Sequence, residues 1–117
     1  HILDEYSNSK TLLLIEPVSF LEMIRLESRC KLVITDSGGV QKESFFFNKP
    51  CVVMREETEW IELVKNGNAI LCGSDPQKIR SALQTLMNRK HSYPRFYGDG
   101  HSAESMCELI LNFSESC

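Results

Sequence analysis

Ser37, Gly38, Gly39 and Glu43 are the residues of this chain whose types and spacing point to chemistry. They lie in the stretch TDSGGVQKE, Thr35 to Glu43, where the β-branched run Leu32-Val33-Ile34-Thr35 breaks at Asp36 and helix-compatible residues resume at Val40. That order describes a strand feeding a helix through a glycine turn. The N–H groups that open a helix have no intrahelical acceptor, and together with the positive end of the helix dipole they attract a phosphate. Two glycines let that anion approach without meeting a Cβ. A Ser-Gly-Gly turn is also an ordinary tight connection, and spacing alone leaves both readings open.

The elements that must position this turn follow from the rest of the chain. His1 to Lys10 is polar and without a clear period, with a loop at Asn8-Ser9, and the chain is expected to be cut from a longer protein. Thr11 to Ile15 is a continuous apolar run suited to a strand buried on both faces, ended by Glu16-Pro17. Ser19 with Glu22 forms a capping box, and Phe20, Leu21, Met23, Ile24 and Leu26 give the helix an apolar face, with Arg25, Glu27 and Arg29 largely off it.

Lys31 to Thr35 is the second strand. The helix after the turn runs through Ser44 to Phe47 and stops at Asn48-Lys49-Pro50, with Asn48 as a left-handed cap. A third strand, Cys51 to Met54, delivers the polar run Arg55-Glu56-Glu57-Thr58-Glu59 and a helix from Trp60 to Lys65. A fourth strand spans Ala69 to Cys72. Ser74 or Asp75 then caps a helix with Pro76 in its first turn, where the missing N–H is tolerated. His91 to His101 reads as loop, and Ser102 caps a last helix.

Buried strands joined by helices pair in parallel, so the expected fold is α/β, a small Rossmann-like αβα layer with a parallel sheet. Ligands of such sheets bind outside the carboxyl ends of the strands. Asp36 to Gly39 and Arg55 to Glu59 both fall on that edge.

With 117 residues the chain holds one core, spanning 1–117 as a single domain or part of one. A formal charge of −3 provides no basic stripe for a polyphosphate backbone, so no nucleic-acid partner is expected. No apolar run approaches a membrane span and no signal-peptide pattern opens the chain, which points to a cytoplasmic protein without a membrane partner. The five cysteines form no CxxC pair and have no histidine at ligand spacing, so a metal site is not expected. Cys30, Cys51 and Cys72 recur at equal spacing because they mark the β/α period, and they read as small hydrophobes.

The segments IEPVSF (Ile15 to Phe20), TDSGGVQKES (Thr35 to Ser44), NKPCVVMREETEW (Asn48 to Trp60), NGNAILCGSD (Asn66 to Asp75) and YGDGHSAE (Tyr97 to Glu104) resemble, in order and spacing, the non-hydrolysing UDP-N-acetylglucosamine 2-epimerases. The resemblance covers nearly the whole chain after the first ten residues, and the combination of DSGG-x-Q-x-E with RxxTE and YGDG is specific to that group and its close relatives. It implies most of the carboxyl-terminal, UDP-binding domain of a two-domain glycosyltransferase-B-like enzyme. That enzyme interconverts UDP-GlcNAc and UDP-ManNAc by eliminating UDP to give 2-acetamidoglucal and adding it back on the other face. UDP or UDP-GlcNAc would be the ligand, no cofactor is implied, and the parent protein would be a homodimer.

Carried over to this sequence, Ser37, Gly38 and Gly39 would hold the UDP phosphates and Glu43 the ribose hydroxyls. Phe20 and Met23 would lie near the uracil, or serve only as core. Arg55 would face the pyrophosphate, or pair with Glu56 or Glu59 and hold its loop. Many members follow RxxTE with Arg-Pro where this chain has Trp60-Ile61. Lys42 reads as a solvated helix position. The family's catalytic carboxylates belong upstream of His1, so no catalytic residue is assigned and the chain by itself is expected to show no epimerase activity. The alternatives are half of a glycosyltransferase of the same architecture, a hydrolysing epimerase, or a noncatalytic UDP-binding module.

Overall fold

The computed structural model describes residues 9–115. Three short parallel strands, β1 (Val33–Thr35), β2 (Cys51–Val53) and β3 (Ala69–Leu71), lie side by side in sequence order. Their register is continuous, with Thr35 opposite Val53 and Val53 opposite Leu71. Helix α1 (Phe20–Arg29) precedes β1, α2 (Gly38–Phe46) follows it, α3 (Ile61–Lys65) joins β2 to β3, and α4 (Pro76–Asn88) and α5 (Ser102–Glu115) complete the chain.

Side-chain alternation sends β2 into two cores at once, and all three of its residues are buried. On one face Cys51 and Val53 pack with Phe45 of α2, Leu63 of α3 and Ala69. On the other, Val52 packs with Cys72 and with Ala82 and Leu86 of α4. Helices therefore cover both faces, and the αβα layering expected from the sequence is present. Burial pushes the Cys51 thiol up to about 12, as suits a cysteine acting as a core hydrophobe.

Several of the local signals that start and stop the helices are realised. Ser19 and Glu22 form the reciprocal capping box, Asp75 caps α4 by accepting from the Gln77 and Lys78 amides, and Asn48 adopts φ 57° after α2. The strands are shorter than expected, because Met54 and Cys72 donate single backbone bonds of 2.8 Å to Thr35 and Val53 beyond the paired ladder. Trp60 takes the cap position of α3 and is not its first residue. Ser102 is the first residue of α5 and does not cap it, since the His101 carbonyl accepts the Ser105 amide.

One expectation fails outright: Thr11 to Ile15 forms no strand. Leu12 to Ile15 are 45–84% exposed. An apolar extended run becomes a strand only when a neighbour takes its backbone groups, and among the described residues β1 pairs with β2 alone. The expected polar lead-in from His1 to Asn8 and the thiol of Cys117 lie outside the described residues.

Candidate functional site

The carboxyl ends of the three strands meet in one set of loops. Met54 donates to Thr35, and the Gly73 amide donates to the Arg55 carbonyl at 3.1 Å, so the turns after β1, β2 and β3 are tied in series. A Cβ on Gly73, whose φ is +56°, would overlap the Glu56 carboxylate. That glycine leaves room for the Arg55–Glu59 loop to fold back.

Ser37 is the N-cap of α2. Its amide donates to Thr35 Oγ1 at 3.0 Å and its hydroxyl accepts from the Val40 amide at 3.4 Å. Gly38 and Gly39 are the next two residues, and their amides have no acceptor among the described residues. Two N–H groups thus open the helix at the ligand edge of a parallel sheet, where an anion is favoured.

Arg55 pairs with Glu59 at 3.1 Å, settling which of its two possible acidic neighbours it meets. The pair sits against the turn: a Cβ on Gly38 would overlap the Glu59 carboxylate and come within 3.7 Å of Arg55 Nη1. The guanidinium therefore stands beside the free amides. The Thr58 hydroxyl donates to Gln41 Oε1 at 2.6 Å and accepts from the Trp60 amide at 3.1 Å, which joins the RxxTE segment to α2 from inside. Gln41 is 1% exposed, and its Nε2 has no partner among the described residues.

Two residues given no role from sequence belong to this assembly. Trp60 donates its indole N–H to the Gly38 carbonyl at 2.7 Å. Lys42 is not a solvated helix position, because its Nζ lies 4.6 Å from the Trp60 ring centre and 4.5 Å from that of Tyr97. Tyr97 in turn packs against Phe45, Phe46 and Phe96. The SGG, TEW and YGDG segments, distant in sequence, therefore meet around one cation. The Tyr97 hydroxyl holds the neighbouring Glu62 carboxyl below its usual range, while burial pushes the Tyr97 phenol up. The rings were visible as residue types, but only the fold shows that Lys42 lies between two of them.

Glu43 is half-buried on α2, one turn beyond Gly39. Its neighbour across the α1–α2 contact is Glu27, the buried residue of α1, which sequence periodicity placed largely off the packed face. Phe20 is exposed and Met23 half-buried on α1, and the polar contacts that bind Arg55, Thr58 and Trp60 to the turn involve neither. Among the described residues no cluster of metal-ligating side chains occurs and no helix is long and apolar enough to cross a membrane.

Comparisons with known proteins agree with the geometry. The family model described as UDP-N-acetylglucosamine 2-epimerase matches residues 1–111. A UDP-N-acetylglucosamine 2-epimerase homolog from Methanococcus maripaludis is 40% identical over 95% of this chain and 31% of its own length. A UDP-2,3-diacetamido-2,3-dideoxy-D-glucuronate 2-epimerase from Pseudomonas aeruginosa is 45% identical over 82% of this chain and 27% of its own. The crystal structure of the Methanocaldococcus jannaschii UDP-GlcNAc 2-epimerase, in complex with UDP-GlcNAc and UDP, superposes with a TM-score of 0.83 at 34% identity, over 95% of this chain and 31% of that one. The chain thus spans about a third of the length of these relatives. The solved epimerases have the glycosyltransferase-B-like fold that the resemblance implied. By the match along nearly its whole length and by the fold it shares with them, the chain belongs to the UDP-N-acetylglucosamine 2-epimerase family.

Proposed function

We propose that residues 1–117 are the UDP-binding, carboxyl-terminal domain of a UDP-sugar 2-epimerase. The observation that carries this reading is the pair of acceptor-less amides, Gly38 and Gly39, behind the Ser37 cap at the carboxyl edge of the sheet. Those amides and the Ser37 hydroxyl take the phosphates of UDP. Arg55, already beside the turn, adds a positive charge when the nucleotide shares it with Glu59. Glu43 accepts hydrogen bonds from the ribose hydroxyls, one turn away, so its charge stays off the phosphates. Phe20 and Met23 border the uracil at the start of α1.

The reaction of the whole protein is the interconversion of UDP-GlcNAc and UDP-ManNAc, or of a related pair of 2-acetamido sugars, by loss and re-addition of UDP. Breaking the sugar–oxygen bond leaves charge on the diphosphate. Amides and a guanidinium aimed there stabilise the leaving group more than the intact nucleotide sugar, which is how a binding site lowers a barrier. The residues that move the proton at C2 lie outside this chain. The relatives from M. jannaschii and P. aeruginosa are named for different sugars and share the UDP group, the part of the substrate this domain is read to hold. The full protein is read as a cytoplasmic homodimer that supplies nucleotide sugars for polysaccharide synthesis.

Calorimetry with UDP, UMP, uridine and UDP-GlcNAc tests the reading. UDP should bind well above uridine, and Ser37→Ala and Glu43→Ala should each weaken it. Equal affinity for UDP and uridine would refute the phosphate site.

A further inference from the structure

Glu27 is a carboxyl residue 3% exposed between α1 and α2, and neither of its oxygens has a hydrogen-bond partner among the described residues. An ionised carboxylate left so is costly, because burial removes its water and nothing replaces it. The side chain facing it is Glu43, also a carboxyl. Two carboxylates are both acceptors and cannot bond to each other. One proton between them changes this, giving a donor on one side and a charged acceptor on the other. The more deeply buried partner is the one that loses most by ionising, which puts the proton on Glu27.

We propose that Glu27 is a positioning residue for Glu43: it carries the proton the pair shares and donates it to one Glu43 oxygen, leaving the other oxygen to accept the ribose hydroxyls of the nucleotide. The inference rests on the reading of Glu43 as the ribose acceptor given above. The hydrogen bond fixes the rotamer of a half-buried, flexible acid, so that it need not be ordered by the ligand. Burial first, and then the charge of Glu43, raise the Glu27 carboxyl above the ordinary range, in line with the protonated form. Among the described residues the other titratable groups against Glu27 are thiols: Cys51 of β2, held neutral by burial, and Cys30, whose Sγ–H donates to the Glu27 carbonyl at 3.2 Å. Neither is a cation that would favour an ionised Glu27.

The arrangement makes nucleotide binding sensitive to pH. As Glu27 ionises the shared proton is lost, and Glu43 is repelled from its place.

The test measures the Kd for UDP from acid to alkaline pH in the full-length protein with wild-type, Glu27→Gln, Glu27→Leu and Glu43→Ala sequences. Glu27→Gln keeps a neutral donor, so it should bind UDP as wild type does on the acid side and lose the weakening that follows as pH rises. The ratio of wild type to Glu27→Gln cancels titration of the nucleotide itself. Glu27→Leu removes the donor and should raise the Kd roughly tenfold with the melting temperature unchanged or higher. If Glu43→Ala weakens UDP while Glu27→Leu does not, the positioning role is wrong and the ribose reading stands. If Glu43→Ala has no effect, the ribose reading itself fails. Should Glu27→Leu not fold, a weakening with rising pH that is equal in wild type and Glu27→Gln overturns the proposal alone.

Discussion

The indole N–H of Trp60 donates to the carbonyl of Gly38 at 2.7 Å. In a trans peptide the carbonyl of one residue and the N–H of the next point opposite ways. Holding the Gly38 oxygen on the Trp60 side therefore aims the Gly39 N–H away from it, toward the open edge of the sheet. Trp60 occupies the place where many family members carry arginine, and it acts on the Gly38–Gly39 turn through the backbone.

Trp60→Phe should separate this bond from the packing of the ring. The variant keeps an aromatic face for Lys42 and loses only the N–H, so stability should fall by about 1 kcal/mol, the usual net worth of one hydrogen bond. UDP should bind several-fold more weakly and uridine as before, since only the phosphate grip is loosened. Calorimetry with both ligands decides it, and an equal loss for both would show that Trp60 shapes the whole domain and not the turn.

The parts of this fold that were legible in the sequence are those set by residues close together in the chain. Ser19 with Glu22, Asp75 before Pro76 and Asn48 after α2 act through bonds a few residues long, and each is present. Thr11 to Ile15 shows the limit of that logic, since its apolar run fixes an extended preference but not a partner strand. Glu27 shows another. Helical period put Leu21 and Leu26 on the packed face, yet both are exposed and Glu27 is buried, because the contact is set by where α2 lies. At the site, Ser37 and the glycines were legible as a turn, whereas the Lys42 contacts with Trp60 and Tyr97 join residues far apart in sequence and no local period announces them.

The two glycines of the turn should differ under substitution. A Cβ on Gly38 would overlap the Glu59 carboxylate, the movable end of a flexible side chain, so Gly38→Ala should fold but displace Glu59 and with it Arg55. On Gly39 the nearest atom is Ser37 Oγ at 3.9 Å, an ordinary contact. Gly38→Ala should lower UDP affinity by about tenfold, equivalent to about 1.4 kcal/mol, through a displaced Arg55. An Arg55→Ala background should shrink that loss. Full additivity of the two substitutions would rule out the coupling.

Lys42 lies over two rings, and its removal should be felt as stability. Lys42→Met keeps most of the apolar stem and removes the charge, so the loss should be about 0.5–1 kcal/mol for a partly exposed cation–π contact. Lys42→Arg should restore much of it, because a guanidinium also stacks on aromatic faces. Urea denaturation of the three proteins is the measurement. No difference between Lys42→Met and wild type would mean that the rings hold the three segments together without the cation.

Glu27 gives the domain a pH dependence whose sign is fixed. Its carboxyl is raised in the folded state by burial and by Glu43, and lies at the ordinary value once the chain unfolds. Between those two values the folded state holds a proton that the unfolded state has released. Stability from this group is therefore complete below the ordinary carboxyl value, declines as pH rises through the window, and is gone above the raised value. Glu62 acts in the opposite sense and elsewhere: its carboxyl is lowered, chiefly by the Tyr97 hydroxyl, so its contribution is present above the ordinary value and lost on acidification below it. The two windows fall on opposite sides of the ordinary value and can be read separately. Unfolding free energies measured from about pH 2 to about pH 9 should decline for wild type on the upper side and be flat there for Glu27→Gln, with the acid side of the two curves parallel. If Glu27→Gln kept the full upper decline, the buried carboxyl would not be its source, and the proton shared with Glu43 would not be held on Glu27.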